Sequence, residues 1–413
     1  MPSTEINNDS FILRIPNEIL RICFELVAQL DRELATGYNY YDARYSTMKE
    51  RKRLGLNQGQ INVEGQYALA LTCRRFHALV MPILYTTVCV DAHEYQQEWT
   101  LQKDLFFRTI DENPALQLYI KDLKVEWDRE KVNGEIIRSL VKLPRLECLA
   151  LDLLNLDPGE VDLGPTPEEK ATANFAEIGF RGLRAKPEAI KRLMEWPRNL
   201  HTFDLGHMIC DDYDWEGMEP EPAYRWDHDK VTDVLMPQRQ SLRVLRLGWL
   251  GYTLNQNAFS TWECPQLQKL TLCITYEPPT YDACLRWLSP SLKTLVLDFH
   301  YFSIQQGSYS MFTRRQYQKA RRVARWAKKI KAGPGCGAKS LERIGLWVLA
   351  VNSEYGQRNH EWDYMNGCDE TKNLLIYALE KLEKYGFKSF WIAPSGAEYT
   401  AEDIKTKFPK SLK

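Results

Sequence analysis

Beyond residue 115 one pattern keeps returning and constrains the fold more than any other feature of the chain: apolar-x-x-apolar-x-apolar. It reads Leu146-Leu149-Leu151, Leu200-Phe203-Leu205, Leu242-Leu245-Leu247, Leu267-Leu270-Leu272, Leu292-Leu295-Leu297 and Leu341-Ile344-Leu346, with weaker copies at Ile120-Leu123-Val125, Phe175-Ile178-Phe180 and Phe387-Phe390-Ile392. The last two apolar positions of each copy alternate as in a short strand, so they share one face and the residue between them takes the other. One unit cannot bury its own apolar face. Stacked units can, each adding a strand to a parallel sheet whose return segments cover the outside. Amphipathic stretches suit that return path: Pro187 to Trp196 carries Ile190, Leu193 and Met194, and Glu370 to Tyr385 carries Leu374, Leu375, Ala378 and Leu382.

Leu242, Leu267 and Leu292 stand about 25 residues apart, inside the roughly 20 to 29 residues of a leucine-rich repeat. Residues 116–394 therefore resemble irregular leucine-rich-repeat proteins. The resemblance implies an α/β fold built as a curved solenoid, with short parallel strands on its concave side and helices or irregular segments outside. It departs from the regular pattern where an Asn or Cys is expected three positions after the last leucine: Leu154, Met208, Leu250, Thr275 and His300 stand there. Without such a side chain to satisfy backbone groups at the turn, an uneven array is expected. The long gaps from Leu200 to Leu242 and from Leu292 to Leu341 point to insertions or poorly matching repeats.

The amino-terminal ninety residues read differently. Pro16 supplies a fixed φ at a first helical position, and Glu18 sits in the first turn, where the helix dipole favours negative charge. From there Ile19, Cys23, Leu26, Val27 and Leu30 recur at helical spacing, and Leu20, Ile22 and Phe24 widen the apolar stripe beyond what one small bundle needs to bury. Such surplus suggests a partner. Some fifty residues later come Leu69 to Phe76, including Cys73-Arg74-Arg75-Phe76, and then Leu84-Tyr85.

Together these segments resemble an F-box, the helical module that docks onto the Skp adaptor of cullin-based ubiquitin ligases. The sequence departs from the family at Ile15, where leucine is usual, and in an insertion from Asp31 to Glu64. The resemblance implies that Pro16, Ile19, Leu20, Leu26, Leu69, Cys73, Phe76 and Leu84 form the helical core or the adaptor-facing surface. The expected organisation is an F-box module over 1–92 with its insertion at 31–64, a linking helix over 93–115, repeats over 116–394 and a tail over 395–413. An F-box followed by repeats resembles the leucine-rich F-box proteins abundant in fungi.

At 413 residues the chain exceeds a usual single core. With 54 Lys and Arg against 55 Asp and Glu, it has no global charge to draw it to nucleic acid or a membrane surface. No apolar run approaches the roughly 18 residues of a membrane span. The 10 cysteines lack Cys-x-x-Cys pairs, and Met1 to Ser10 lacks a signal-peptide layout, which suggests reduced thiols and a cytoplasmic or nuclear address. Catalytic motifs such as Gly-x-Ser-x-Gly, His-Glu-x-x-His and Gly-x-Gly-x-x-Gly are missing from the sequence, so no catalytic residue and no cofactor is expected. His201, His207 and Cys210 lack a fourth zinc ligand at suitable spacing, and the acidic stretch Asp211 to Glu221 lacks the glycine-centred spacing of a calcium loop. No metal site is expected. Arg314 to Lys331 reads as a basic amphipathic helix, first the solvated side of a repeat, then a surface for an acidic partner or import receptor, and last one for nucleic acid, and Gly333 to Gly337 as the loop that stops it.

The resemblance implies a substrate-recognition subunit of a ubiquitin ligase, non-catalytic itself. Its F-box would hold the Skp adaptor and cullin scaffold while its repeats hold a target protein of unknown identity. The alternative is a ubiquitin-independent scaffold whose helical bundle only caps the array. In either case target contact is expected on the concave face, where Asp204, Arg246, Lys269, Asp298, Trp347 and Trp391 should project between the repeat leucines.

Overall fold

The computed structural model describes residues 14–36, 64–90, 97–127, 131–152, 154–156, 162–206, 226–248, 250, 260–274, 285–298, 322–331, 340–347, 369–393 and 397–407. The protein is mixed α/β. It begins with a helical bundle of α1 (Asn17–Thr36), α2 (Glu64–Thr72) and α3 (Arg74–Leu84). Leu20, Phe24, Ala70, Phe76 and Val80 form the bundle's own buried cluster, with Ile15, Leu69, Cys73, Leu79, Ile83 and Leu84 packed around it. The Phe24 and Phe76 rings meet edge to face with centroids 5.0 Å apart. Helix α1 runs six residues into the segment assigned to an insertion, to Thr36, and residues 37–63 lie outside the described ones.

Among the described residues eleven strands form one sheet in chain order, parallel except for the last pair. They are β1 (Thr87–Val90), β2 (Asp122–Glu126), β4 (Cys148–Asp152), β6 (Glu177–Arg181), β7 (Thr202–Leu205), β8 (Val244–Leu247), β9 (Lys269–Cys273), β10 (Thr294–Asp298), β11 (Arg343–Trp347), β12 (Lys388–Ile392) and β13 (Glu398–Tyr399). Two-residue strands β3 (Lys131–Val132) and β5 (Asn155–Leu156) pair separately. Register aligns the repeat leucines: Leu149, Ile178, Phe203, Leu245, Leu270, Leu295 and Ile344 form one buried row, and Leu151, Phe180, Leu205, Leu247, Leu272, Leu297 and Leu346 another. The two long gaps are insertions, because β7 pairs directly with β8 and β10 with β11.

Helices cover the face that bears these rows. They include α4 (Gln97–Glu112), the short α5 (Pro114–Gln117), α6 (Gly134–Val141), α7 (Pro187–Leu193) and α8 (His228–Leu235). Ile137, Leu140, Ile190, Leu193, Val231 and Val234 on these helices join the same core. Local chemistry starts them: Asn133 accepts from the Glu135 amide (2.9 Å), Asp227 from the Lys230 amide (2.8 Å), and Pro187 opens α7. Residues 322–331 are helical as well, with Val323, Trp326, Ala327 and Ile330 in the core and Arg322, Arg325, Lys328, Lys329 and Lys331 exposed. Arg314 to Lys319, the acidic stretch Asp211 to Glu221, and Gly333 to Gly337 lie outside the described residues.

Residues 397–407, placed in a tail by the sequence reading, hold structure. After α9 (Asp369–Lys384) and β12, strand β13 turns back antiparallel, and α10 (Ala401–Lys407) follows. Thr400 and Asp403 cap α10 reciprocally: the Asp403 carboxylate accepts from the Thr400 amide (3.0 Å) and the Thr400 hydroxyl from the Asp403 amide (3.2 Å). Ala401 and Ile404 are buried, and Lys405 reaches Glu380 of α9 at 2.7 Å, so this segment closes the end of the core.

Of the positions where an asparagine is expected, Met208, Thr275 and His300 lie outside the described residues. Leu154 and Leu250 are buried and enlarge the core instead. Buried Gln238 donates to the Met194 and Pro197 carbonyls (2.9 Å each) and accepts from the Leu200 amide (3.0 Å) and the Ser241 hydroxyl (3.0 Å). Thr261 donates to the Trp287 carbonyl (2.7 Å), Ser289 to Cys264 (2.8 Å) and Ser340 to Leu292 (3.0 Å), each tying one repeat to a neighbour.

Candidate functional site: an apolar stripe and an open sheet face

Helix α1 carries two apolar stripes. Leu20, Phe24 and Ala28 recur every four residues and are buried, the first two in the bundle core. Ile19, Ile22, Leu26 and Leu30 are 49, 54, 55 and 57 % exposed, and Cys23 is exposed with them. At 100° per residue these five fall within an arc of about 100° beside the core stripe. On α2, which packs against α1, Tyr67 and Leu71 are also exposed. Scattered exposed apolar residues are ordinary on a surface, but a continuous stripe along one helix makes this face a candidate interaction surface.

The structure divides the sequence-predicted residues of the module. Pro16, Ile19 and Leu26 are exposed, Leu20 and Phe76 are buried in the bundle, and Leu69, Cys73 and Leu84 are half-buried against it. Cys73 caps α3, its sulfur accepting from the Phe76 amide at 3.5 Å. Arg75 joins the motif's two halves, donating to Asn17 Oδ1 (2.8 Å) and to the Ile15 carbonyl (2.5 Å) at the start of α1. Tyr67 and Leu71 escaped the sequence reading, because α2 is apolar on several sides and its pattern alone does not say which side is covered.

The second candidate surface is the sheet face turned away from the helices. Its middle row runs Lys124, Ala150, Gly179, Asp204, Arg246, Thr271, Val296, Gly345 and Phe390. Asp204 Oδ2 accepts from Arg246 at 3.0 Å, and the Arg246 guanidinium lies 6.0 Å from the Trp347 ring centre. Lys124 pairs with Asp152 at 3.2 Å, and Arg343 meets Glu398 and stacks over Phe390 at 4.5 Å. Burial holds the Lys269 ammonium below its usual pKa, with Arg246 adding to the effect and Glu398 opposing it. The Cys148 thiol is pushed up to about 12 by burial and then by Glu177, Asp122 and Asp204, so it is a neutral thiol at physiological pH.

Asp204, Arg246 and Lys269 therefore stand on the face assigned to them, partly exposed. Asp298 and Trp347 stand there too but are 3 and 6 % exposed, and Trp347 forms a buried cluster with Val296 and Phe390. That corrects the expectation that they project freely. Trp391 is corrected more fully: it pairs with Leu346, lies in the leucine row facing the core, and is 1 % exposed. The last copy of the pattern is shifted by one residue, so Phe390, paired with Gly345, takes the outward position. Gly345 makes that possible, since a Cβ there would come within 2.6 Å of the Phe390 ring.

Among the described residues no group of three or more His, Cys, Asp or Glu side chains is placed to hold a metal ion, and no helix is long and apolar enough to cross a membrane. His207 and Cys210 lie outside those residues. The chain matches no protein-family model, and no curated protein matches it.

Proposed function

We propose that the protein is a non-catalytic recognition subunit of a cullin-type ubiquitin ligase, an F-box protein whose helical bundle grips a Skp-type adaptor and whose leucine-rich array holds a target protein. The observation that carries this reading is the α1 stripe of Ile19, Ile22, Cys23, Leu26 and Leu30, exposed on a bundle already packed through Leu20, Phe24 and Phe76. An exposed stripe of this size suits a partner helix or groove that completes its burial. The Arg75 link between the two motif halves supports the same reading, since it ties together the segments on which the F-box resemblance rests. In this role the chain supplies proximity: target and ubiquitin-charged enzyme, held on one assembly, react as if within one molecule. The uncovered part of the sheet face, around Asp204, Arg246 and Lys269, is the surface assigned to the target.

Co-purification of an Skp-type adaptor with wild-type protein and with Leu26→Arg tests the docking role. Leu26 is exposed, so the substitution spares the bundle core, whereas Leu20→Arg would place a charge inside it. A desolvated, unpaired charge costs several kcal/mol, so Leu26→Arg should lose the adaptor while keeping its far-ultraviolet spectrum. A wild-type preparation that never carries the adaptor would remove the proposal.

A further inference from the structure

The helix over residues 322–331 carries a surface of one charge sign that neither proposed role uses. Val323, Trp326, Ala327 and Ile330 face the core, and at 100° per residue Arg322, Arg325, Lys328 and Lys329 fall within an arc of about 120° on the opposite side, all exposed. Lys331 flanks them and lies over the Phe387 ring at 4.9 Å, which brings this end of the helix to the turn between α9 and β12, where Lys384 and Lys388 are exposed as well. Surface cations on several other helices meet carboxylates, as Arg21 meets Glu25 (3.0 Å), Lys191 meets Asp233 (2.7 Å) and Lys405 meets Glu380 (2.7 Å). Arg322, Arg325 and Lys328 have no such partner among the described residues. On neighbouring α9, Glu380 is held by Lys405, and Glu383 accepts from the Ser389 hydroxyl (3.2 Å). The cause lies in the sequence: between Asp298 and Glu342 stand ten Lys or Arg and no Asp or Glu, in a chain whose 54 cationic and 55 acidic side chains balance overall.

We propose that this helix face docks an acidic polypeptide segment whose negative charge comes from Asp and Glu side chains. Its cations recur every three or four residues, about 5 Å apart along the axis, and Arg322 and Arg325 present guanidinium forks that take a carboxylate through two parallel hydrogen bonds. Like charges at these spacings destabilise a helix, a cost that a carboxylate-rich partner removes. Two other occupants fit the face less well. A helix lies in a bilayer surface through its apolar side, and here that side is already spent in the core. A single nucleic acid strand is held by stacking on exposed aromatic rings, and the aromatic residue of this helix, Trp326, is buried. The helix belongs to the return segment between β10 and β11, apart from the α1 stripe and the open sheet face, so the inference stands without the adaptor and target roles.

Fluorescence anisotropy of a labelled peptide of alternating Glu and Ala, titrated with the full chain at low salt, tests the proposal. The expected result is saturable binding that added salt weakens and that the combined variant Arg322→Gln, Arg325→Gln, Lys328→Gln weakens about tenfold or more, because three exposed ion pairs, each weak alone, are lost together. A second combined variant that removes three surface cations elsewhere, Arg21→Gln, Lys191→Gln, Lys405→Gln, should bind as the wild type does. Glutamine is a good helix former, and an unchanged thermal midpoint shows that each variant is folded. The single exposed change Lys328→Glu should weaken binding in the same direction and serves if the combined variant unfolds. Absence of binding by the wild type, equal weakening by the two combined variants, or tighter binding of a double-stranded DNA oligonucleotide of equal charge or of phosphatidylserine vesicles than of the peptide overturns the proposal.

Discussion

Replacing Gln238 with leucine removes the polar joint between two successive repeats while keeping side-chain volume nearly constant. In the native protein this buried amide serves the Met194 and Pro197 carbonyls and the Leu200 amide, and no other hydrogen bond to those three groups is present among the described residues. Ser241 keeps its bonds to the Leu200 and Gln238 carbonyls and is little affected. Each buried backbone group left without a partner costs about 1–3 kcal/mol. Three of them, offset by the leucine's own favourable burial, give an expected loss of roughly 3–5 kcal/mol, a large share of a typical domain stability of about 5–15 kcal/mol. Urea unfolding followed by tryptophan fluorescence should show a markedly lower midpoint. Gln238→Glu should also destabilise, because its carboxylate would face two carbonyls that need donors. A Gln238→Leu midpoint indistinguishable from wild type would refute the claim that this side chain is needed to satisfy those three buried backbone groups.

Trp391→Ala should destabilise by about 3–5 kcal/mol as a core truncation, whereas Arg246→Gln should leave the unfolding midpoint nearly unchanged; the reverse order would contradict the strand register. Burial pushes the His228 imidazole from 6.5 down to about 4, so between those pH values the unfolded chain binds the extra proton and stability falls as pH falls. The loss is on the order of 3 kcal/mol between pH 7 and pH 4, and His228→Leu should show a correspondingly flatter profile. Iodoacetamide should alkylate exposed Cys23 well before Cys148, whose thiol stays protonated, and bound adaptor should protect Cys23; faster labelling of Cys148 would count against the burial described.

The parallel sheet was legible because its signal is repeated: Leu245, Leu270 and Leu295 occupy the same position in successive strands, and any one of them supports the others. Reading failed where the signal was single or ambiguous. In Phe387 to Ile392 the strand ends in three consecutive apolar residues, Phe390, Trp391 and Ile392, so alternation does not fix the frame and puts Trp391 on the wrong face. Strand β1, Thr87 to Val90, lacks the leading leucine and was read as the end of the helical module, yet it pairs with β2 residue for residue. Gln238 left no trace in the apolar pattern at all, since its role arises from segments some forty residues away. On α1 the sequence showed more apolar surface than a bundle needs, but only the packing of Phe24 against Phe76 shows which stripe is left outside.

Titration of a purified Skp-type adaptor into the purified chain tests the central claim most directly. The account predicts saturable binding that Leu26→Arg weakens at least about a hundredfold, as expected for several kcal/mol, with the thermal midpoint unchanged. No binding by the wild type, or equal binding by a folded Leu26→Arg, would contradict it.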